Sequence, residues 1–187
     1  DKLTSGMSSV NNRIVINDVN YSVAAYVDDQ HLTLTASAGT QTGVAYRAYL
    51  PLKVSTGAFL GGYFLALVPP SGSALDAVDG KTVRFSNLRD GGFYDPLDII
   101  VKEAQPDNAV AIFVDHEELY IFGSKNSEVW RNTGSVTTFE RDPAGSIEFG
   151  CASPFSIVKL DSSIYMLAGD SRGKPIAIRL NGYQPQR

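Results

Sequence analysis

Two histidines are the starting point of any search for catalytic chemistry, because a serine or cysteine nucleophile needs a histidine base that an acid orients. His116 stands in the acidic run 115–118 (DHEE), and His31 follows the polar run 28–30 (DDQ). Both runs separate strand-like segments, and no Gly-x-Ser-x-Gly elbow occurs in the chain. The pattern favours solvated hairpin tips over a triad, so the sequence predicts no catalytic residue.

Two glycine-containing loops resemble ligand sites. Residues 169–175 (GDSRGKP) resemble a phosphate loop, but the glycine spacing is one residue short and Pro175 replaces the required serine or threonine. Residues 76–80 (DAVDG) carry two carboxylates and a glycine but lack the third acid and the distal glutamate of a calcium loop. Both are interpreted as turns. No cofactor and no metal ligand is therefore expected.

The remaining candidates for a catalytic or binding role are single side chains, and each is interpreted as a structural residue. Glu140 and Asp142 flank Arg141, which predicts a charge-balanced solvated turn. Cys151 is the only cysteine, which excludes an internal disulfide and a cysteine-based zinc site, and it is interpreted as a small buried residue. Trp130 is the only tryptophan and is interpreted as an anchor in the core, with a sugar-stacking platform as the alternative.

The composition is that of an ordinary globular chain of 187 residues, with 43% hydrophobic and 19% charged residues. Its formal net charge of −4 gives no overall electrostatic attraction to a nucleic acid. No apolar run approaches the roughly 20 residues that cross a bilayer, and the first residues do not read as a signal peptide. The mixture of aromatic residues and glycine favours strands and tight turns.

The elements that would position these residues are short strands in two regions. Residues 1–52 contain four runs rich in β-branched and aromatic residues (13–17, 21–27, 31–35 and 43–49), which predict a small β-meander module, possibly an insertion. Residues 53–57 are interpreted as a connector. Beyond it, the near-continuous apolar run 61–68 predicts a strand that is buried on both faces, and a long loop follows to Gly80.

Residues 53–187 contain a repeat. Runs at 109–114, 119–123 and 127–132 predict three strands in series, and similar runs recur at 155–160, 164–167 and 175–181. Leu119 and Ile164 lie 45 positions apart, as do Phe85 and Trp130. This period predicts an all-β fold made of about two to three blades of a partial β-propeller, truncated at the C-terminus, with a β-sandwich as the alternative. Such a partial ring needs further blades or another copy to close.

A family resemblance rests on a series of short segments from about residue 58 onward. They are 63–64 (YF), 84–86 (RFS), Asp90, 94–98 (YDPLD), 103–107 (EAQPD), 119–123 (LYIFG), 127–130 (SEVW), 150–156 (GCASPFS), 170–173 (DSRG) and 181–185 (NGYQP). In this order and spacing they resemble the packaged-DNA stabilisation proteins of short-tailed bacteriophages, which form the tail nozzle or needle hub. Residues 1–52 are expected to lie outside the resemblance.

The resemblance implies a non-enzymatic structural subunit of the virion tail. It implies a nozzle ring that closes the DNA exit channel, assembled in the bacterial host cytoplasm. The implied partners are other copies of the chain, the portal or adaptor, other tail proteins and passing DNA, with no membrane. Two alternatives stay open: a carbohydrate-binding or carbohydrate-cleaving propeller, in which Tyr94, Trp130 and Tyr183 would stack on sugars, and a bacterial surface propeller unrelated to phage.

Overall fold

The computed structural model describes residues 13–17, 19–28, 30–44, 46–49, 53–70, 80–92, 94–95, 97–169 and 174–187. The chain forms two compact units, Asp1–Leu52 and Lys53–Arg187. In the described residues nearly all regular structure is antiparallel strand, as the composition predicts. Each unit is built around its own sheets and is described by itself.

The described strands of the first unit form one four-stranded sheet. They are β1 (Arg13–Ile16), β2 (Val19–Tyr26), β3 (Leu32–Leu34) and β4 (Tyr46–Tyr49), in the order β3-β2-β1-β4. The predicted meander is corrected at its last strand, because β4 pairs with β1 and not with β3. The connection from β3 is long enough to return past two strands, which gives the spatial order of a Greek key.

The second unit begins with blade 1. Its strands are β5 (Thr56–Leu60), β6 (Tyr63–Leu67), β7 (Thr82–Phe85) and β8 (Ile99–Val101), in sequential order. The predicted connector at 53–57 is corrected, because Thr56 and Gly57 open β5. Gly61 and Gly62 have positive φ and form the turn into β6, so the apolar run 61–68 becomes a strand only from Tyr63. The loop prediction for 71–79, with Asp76 and Asp79, lies outside the described residues.

Blade 2 contains the three strands that the sequence predicts and a fourth. They are β9 (Ala109–Asp115), β10 (Glu118–Gly123), β11 (Ser127–Asn132) and β12 (Phe139–Ile147). The predicted turn at Glu140–Asp142 is corrected, because these residues lie within β12. The strand is irregular at this point, since its register against β11 shifts between Glu128 and Trp130 and the backbone N–H of Ala144 donates to Asp142 Oδ1 at 2.9 Å.

Blade 3 has an interrupted first strand. β13 (Gly150–Cys151) and β14 (Val158–Leu160) both pair with β15 (Ser163–Gly169), and β16 (Pro175–Asn181) and β17 (Gln184–Gln186) follow. The predicted strand at 155–160 is therefore shortened to β14, because Pro154–Ser156 forms a 3₁₀ turn. The described strands of this unit thus form three consecutive blades.

The blades are stacked face to face, and two hydrophobic cores lie between them. Side chains of β10 alternate between these cores: Leu119 and Ile121 pack toward blade 1, whereas Tyr120 and Phe122 pack toward blade 3. This two-sided burial explains why β10 is a continuous apolar run. The first strands of blades 1 and 2 lie close together, because the backbone N–H of Ile112 in β9 donates to Thr56 Oγ1 of β5 at 3.1 Å. The arrangement is that of propeller blades.

Candidate assembly surfaces

The first hairpin of each blade fixes which residues are equivalent. Two-residue turns with positive φ join the first two strands, at Gly61–Gly62, His116–Glu117 and Asp161–Ser162. Counted from these turns, Phe64, Leu119 and Ile164 occupy one position. Leu119 and Ile164 are the pair that lies 45 residues apart, so this part of the repeat prediction is confirmed.

The second pair at 45 residues is not equivalent. Phe85 pairs with Leu65 and faces blade 2, whereas Trp130 pairs with Leu119 and faces blade 1. In the register of the hairpins Phe85 corresponds to Val129, one position earlier. Phe85 and Trp130 nevertheless lie 45 residues apart. This is a coincidence of numbering, because the β6–β7 connection is much longer than the β10–β11 turn.

Blade 1 exposes the face that points away from blade 2. We name it the leading face; Phe59, Phe64, Arg84 and Ile99 lie on it, and Ala66, which pairs with Arg84 on the same side of the sheet, is only 2% exposed. Phe64 is 43% exposed, whereas its equivalents Leu119 and Ile164 are 0% and 2% exposed. Phe59 and Phe64 contact each other edge to face, with ring centroids 5.0 Å apart. The position of Phe64, which is buried in the other two blades, is therefore open in blade 1.

Blade 3 exposes the opposite face, which we name the trailing face. It comprises Val158, Tyr165, Leu167, Ala177 and Arg179. Leu167 is 44% exposed, whereas its equivalents Leu67 and Phe122 are buried in the two cores. Burying one such side chain contributes about 1.5–3 kcal/mol. Both ends of the blade stack therefore carry surfaces that gain free energy when covered.

A polar cluster connects blades 2 and 3. Tyr183, in the β16–β17 turn, donates to Glu118 Oε1 at 2.7 Å, lies 3.0 Å from Asp142 Oδ2 and accepts from Arg131 at 2.8 Å. Arg131 also forms ion pairs with Glu118 and Asp142. Burial, with the carboxylates of Glu118 and Asp142, raises the pKa of Tyr183 to about 12. The phenol stays protonated at neutral pH, which suits a structural contact and not a nucleophile.

Both histidines lie where the sequence predicts, at hairpin tips. His116 Nδ1 is 2.8 Å from Asp115 Oδ2, and His31 Nδ1 is 2.7 Å from Asp28 Oδ1. Asp115 also forms an ion pair with Lys159 of blade 3. Burial alone would raise the pKa of Asp115, but the hydrogen bonds from Lys159 and His116 outweigh it and lower the pKa below its usual range. His116 thus belongs to a second polar contact between blades.

The residues predicted to be buried are buried. Trp130 lies in the core between blades 1 and 2, and its Nε1 donates to Glu128 Oε2 at 3.2 Å. Cys151 lies in the core between blades 2 and 3, and burial raises the pKa of its thiol. Tyr94 is half-buried, and Tyr183 is engaged in the polar cluster. The three aromatic residues of the sugar-stacking alternative do not form one exposed platform.

Sequence reasoning missed a buried polar network around Lys102. Its side chain is fully buried, and Nζ contacts Asp107 and Asn126. Nearby, buried Glu128 accepts from the backbone N–H groups of Glu103 and Ala104. The network fixes the connection from the last strand of blade 1 to the first strand of blade 2. Its only sequence signal is a lysine directly after the apolar run 99–101.

The two loops that resemble ligand sites in sequence lie largely outside the described residues. In the loop 169–175, residues 170–173 lie outside the described residues, as do Asp76 and Asp79. Within the residues that are described, no three His, Cys, Asp or Glu side chains converge as they would to hold a metal ion. The same part of the chain contains no helix that is long and apolar enough to span a membrane.

The three consecutive antiparallel blades and the cores between them define the fold class: an all-β protein of the propeller type. A family model, that of the bacteriophage P22 Gp10 β-propeller, matches residues 4–187, and the chain belongs to this phage stabilisation family. The family is one of structural tail proteins that stabilise packaged DNA, and membership implies assembly with other virion proteins. No curated protein matches the chain.

The extent of the match corrects one expectation. Residues 1–52 were expected to lie outside the resemblance, but the matched region begins at residue 4 and includes the four strands of the first unit. The expectation for residues 1–52 was wrong because all the segments that carry the family resemblance lie in the blades. The short strands of the first unit carry no comparable motif.

Proposed function

We propose that the chain is a non-enzymatic subunit of the nozzle ring that closes the DNA exit channel of the phage tail. The observation that supports this most directly is the pair of open blade faces. Phe64 and Leu167 occupy positions that are buried wherever the chain supplies a neighbouring blade. Both positions gain free energy when another surface covers them, and in this proposal the leading and trailing faces are assembly surfaces.

The charge of the chain suits retention of DNA by closure of the channel. Proteins that hold DNA through its phosphates use clusters of Lys and Arg, whereas this chain has a formal net charge of −4. DNA would pass a ring of such subunits without strong attraction. The ring is made of copies of the chain, contacts the portal or adaptor and other tail proteins, and assembles in the host cytoplasm.

Charged substitutions on the two faces test the proposal. Leu167→Asp and Phe64→Asp are each introduced into the phage, with Val136→Asp as the control, because Val136 is fully exposed in the β11–β12 loop. The face variants are expected to yield few DNA-filled particles, since a carboxylate would have to be buried in the assembled interface. The control is expected to assemble normally.

Two measurements separate assembly from folding and position. Circular dichroism and thermal unfolding of each purified variant chain should match those of the unchanged chain, because both side chains are already exposed. Antibodies against the chain should label the distal end of the tail in electron micrographs. Face variants that fill and retain DNA as well as Val136→Asp, or labelling elsewhere on the particle, would refute the proposal.

A further inference from the structure

A buried lysine, aspartate and asparagine meet where the connection from blade 1 reaches the β10–β11 turn of blade 2. The side chain of Lys102 is fully buried, the side chain of Asp107 is 7% exposed, and Asn126 is 5% exposed. Lys102 Nζ contacts Asp107 Oδ1 and lies 2.5 Å from Oδ1 of the Asn126 carboxamide. A primary amine is therefore in contact with a carboxamide and with a group that can exchange protons, in a site that is shielded from water.

The surrounding backbone holds these three side chains in place. A methyl group at Gly123 would stand 2.5 Å from Lys102 Cε and from Asp107 Oδ2, so the glycine makes room for the contact. The N–H of Gly123 donates to the carbonyl oxygen of Asn126 at 2.8 Å, which closes the turn that carries the carboxamide. Asp107 Oδ2 accepts from the N–H of Lys125 at 2.7 Å, and Oδ1 faces the amine. The reactive groups are thus positioned by the fold itself.

We propose that Lys102 and Asn126 join in an isopeptide bond, a covalent modification that the folded chain carries out on itself. Asp107 takes one proton from the Lys102 ammonium, which frees the lone pair of Nζ to attack Cγ of Asn126. The Nζ–Cγ bond forms, and the Cγ–Nδ2 bond breaks with its electron pair leaving on the nitrogen. Asp107 passes its proton to that nitrogen and then takes the second proton that Nζ loses. The products are one amide and one molecule of ammonia, and no oxidant or reductant is required.

The carboxamide of Asn126, and not the carboxyl group of Asp107, is the group attacked. Burial alone would raise the pKa of Asp107, but the hydrogen bonds from Lys102 and from the N–H of Lys125 outweigh it and lower the pKa. The resting carboxylate accepts a proton but is a poor electrophile. Well-oriented groups react with effective molarities of about 10⁵–10⁸ M. Because each chain reacts only once, a small population of neutral amine is sufficient.

The bond would tie blade 1 to blade 2 through side chains. Lys102 directly follows β8, the last strand of blade 1, and Asn126 lies 24 positions further along the chain. Residues 103–125, which include β9 and β10, would become a closed loop, and a closed loop restricts the unfolded chain. Tension applied at the ends of the chain would pass through the bond and bypass these two strands. This inference does not depend on the proposed function.

Mass spectrometry of the purified, unchanged chain tests the bond directly. The intact chain is expected to be lighter than its sequence by the mass of one ammonia molecule. Trypsin should leave the chain uncut at Lys102, because the amine has become an amide. It should release residues 90–125 joined to residues 126–131 as one branched peptide. Fragmentation of this peptide locates the link between Lys102 and Asn126.

Variants assign the role of each side chain. Lys102→Arg and Asn126→Ala are each expected to have the full mass of their sequences, because one reactant is missing. Asp107→Ala should slow formation of the bond by about 10²–10⁴-fold, as expected for loss of a general acid–base group. Lys53→Arg, at an exposed lysine of the same unit, is the matched control and should keep the ammonia loss.

The unchanged chain decides the outcome even where a variant fails to fold. A full sequence mass, or normal cleavage at Lys102, would overturn the inference. Loss of one water molecule would instead place the bond on a carboxyl group and overturn it too. Loss of ammonia that persists in Lys102→Arg would show that an amide had cyclised onto its own backbone. None of these results bears on assembly in the phage, so the proposed function stands or falls separately.

Discussion

Tyr183 of blade 3 donates a hydrogen bond of 2.7 Å to Glu118 of blade 2, which ties the outermost hairpin of one blade to the second strand of its neighbour. Arg131 and Asp142, both of blade 2, complete the contact. The apolar core between the same blades provides the bulk of the association. The polar contact fixes how the two sheets are oriented at one end of that core.

Replacing Tyr183 by Phe should destabilise the unit by about 1–2 kcal/mol at neutral pH, because Glu118 loses a hydrogen-bond donor and Arg131 loses an acceptor. Since its pKa is about 12 when folded and about 10 when unfolded, the contribution of Tyr183 is present below pH 10 and is lost as the pH rises toward 12. Urea unfolding followed by Trp130 fluorescence at pH 8–11 measures both effects. Tyr26→Phe is the control, and a difference between unchanged chain and variant that stays constant to pH 11 would contradict the assignment.

Leu119→Ala should cost about 2–5 kcal/mol of unfolding free energy, because it opens a cavity between blades 1 and 2. Leu167→Ala removes the same atoms from the trailing face, where the side chain is 44% exposed, and should cost less than about 1 kcal/mol. Denaturant titration of both variants gives the comparison. Equal losses would mean that the trailing face is already covered in the isolated chain.

Lys102→Met should destabilise the protein by about 3–5 kcal/mol, since it leaves the carboxylate of Asp107 buried without its cation. The double variant Lys102→Met with Asp107→Asn should be more stable than the single variant, because the uncompensated charge is gone. Thermal and denaturant unfolding measure both. A double variant no more stable than the single one would show that Lys102 acts mainly by packing.

Gly150→Ala should cost about 1–3 kcal/mol, because an added methyl group would collide with the backbone of Ser124 and Lys125 in the neighbouring blade. Gly169 is its partner across the β13–β15 ladder, and a methyl group there meets none of the described residues within 4 Å. Gly169→Ala should therefore stay within about 0.5 kcal/mol of the unchanged chain. Similar losses in the two variants would show that the blades can separate slightly at Gly150.

The fold class follows from local sequence because blade strands that are buried on both faces must be continuously apolar, as β10 is. Several strands were missed, and β5, β8 and β12 show the physical reasons. β5 opens with Thr56 and Gly57, which have no clear strand pattern; β8 has only three residues; and the middle of β12 is polar and exposed. Local pattern cannot identify a strand whose stability comes from its neighbours in the sheet.

The site was less predictable because it depends on register and on the order of blades. Leu167 is unremarkable in sequence, and its equivalence to the buried residues Leu67 and Phe122 appears only when the hairpins are aligned at their turns. The fixed period of 45 residues misaligned Phe85 with Trp130, since the connections between strands differ in length. Lys102 was missed because its partners lie in a loop and on the next blade.

The alternation of side chains along β10 has a consequence for how the protein can change over time. Leu119 and Ile121 belong to one core, and Tyr120 and Phe122 belong to the other. Substitutions at odd and even positions therefore adjust two separate interfaces. Neighbouring codons can accumulate changes independently, and compensation for a change in β10 should be sought in blade 1 or in blade 3, according to whether the position is odd or even.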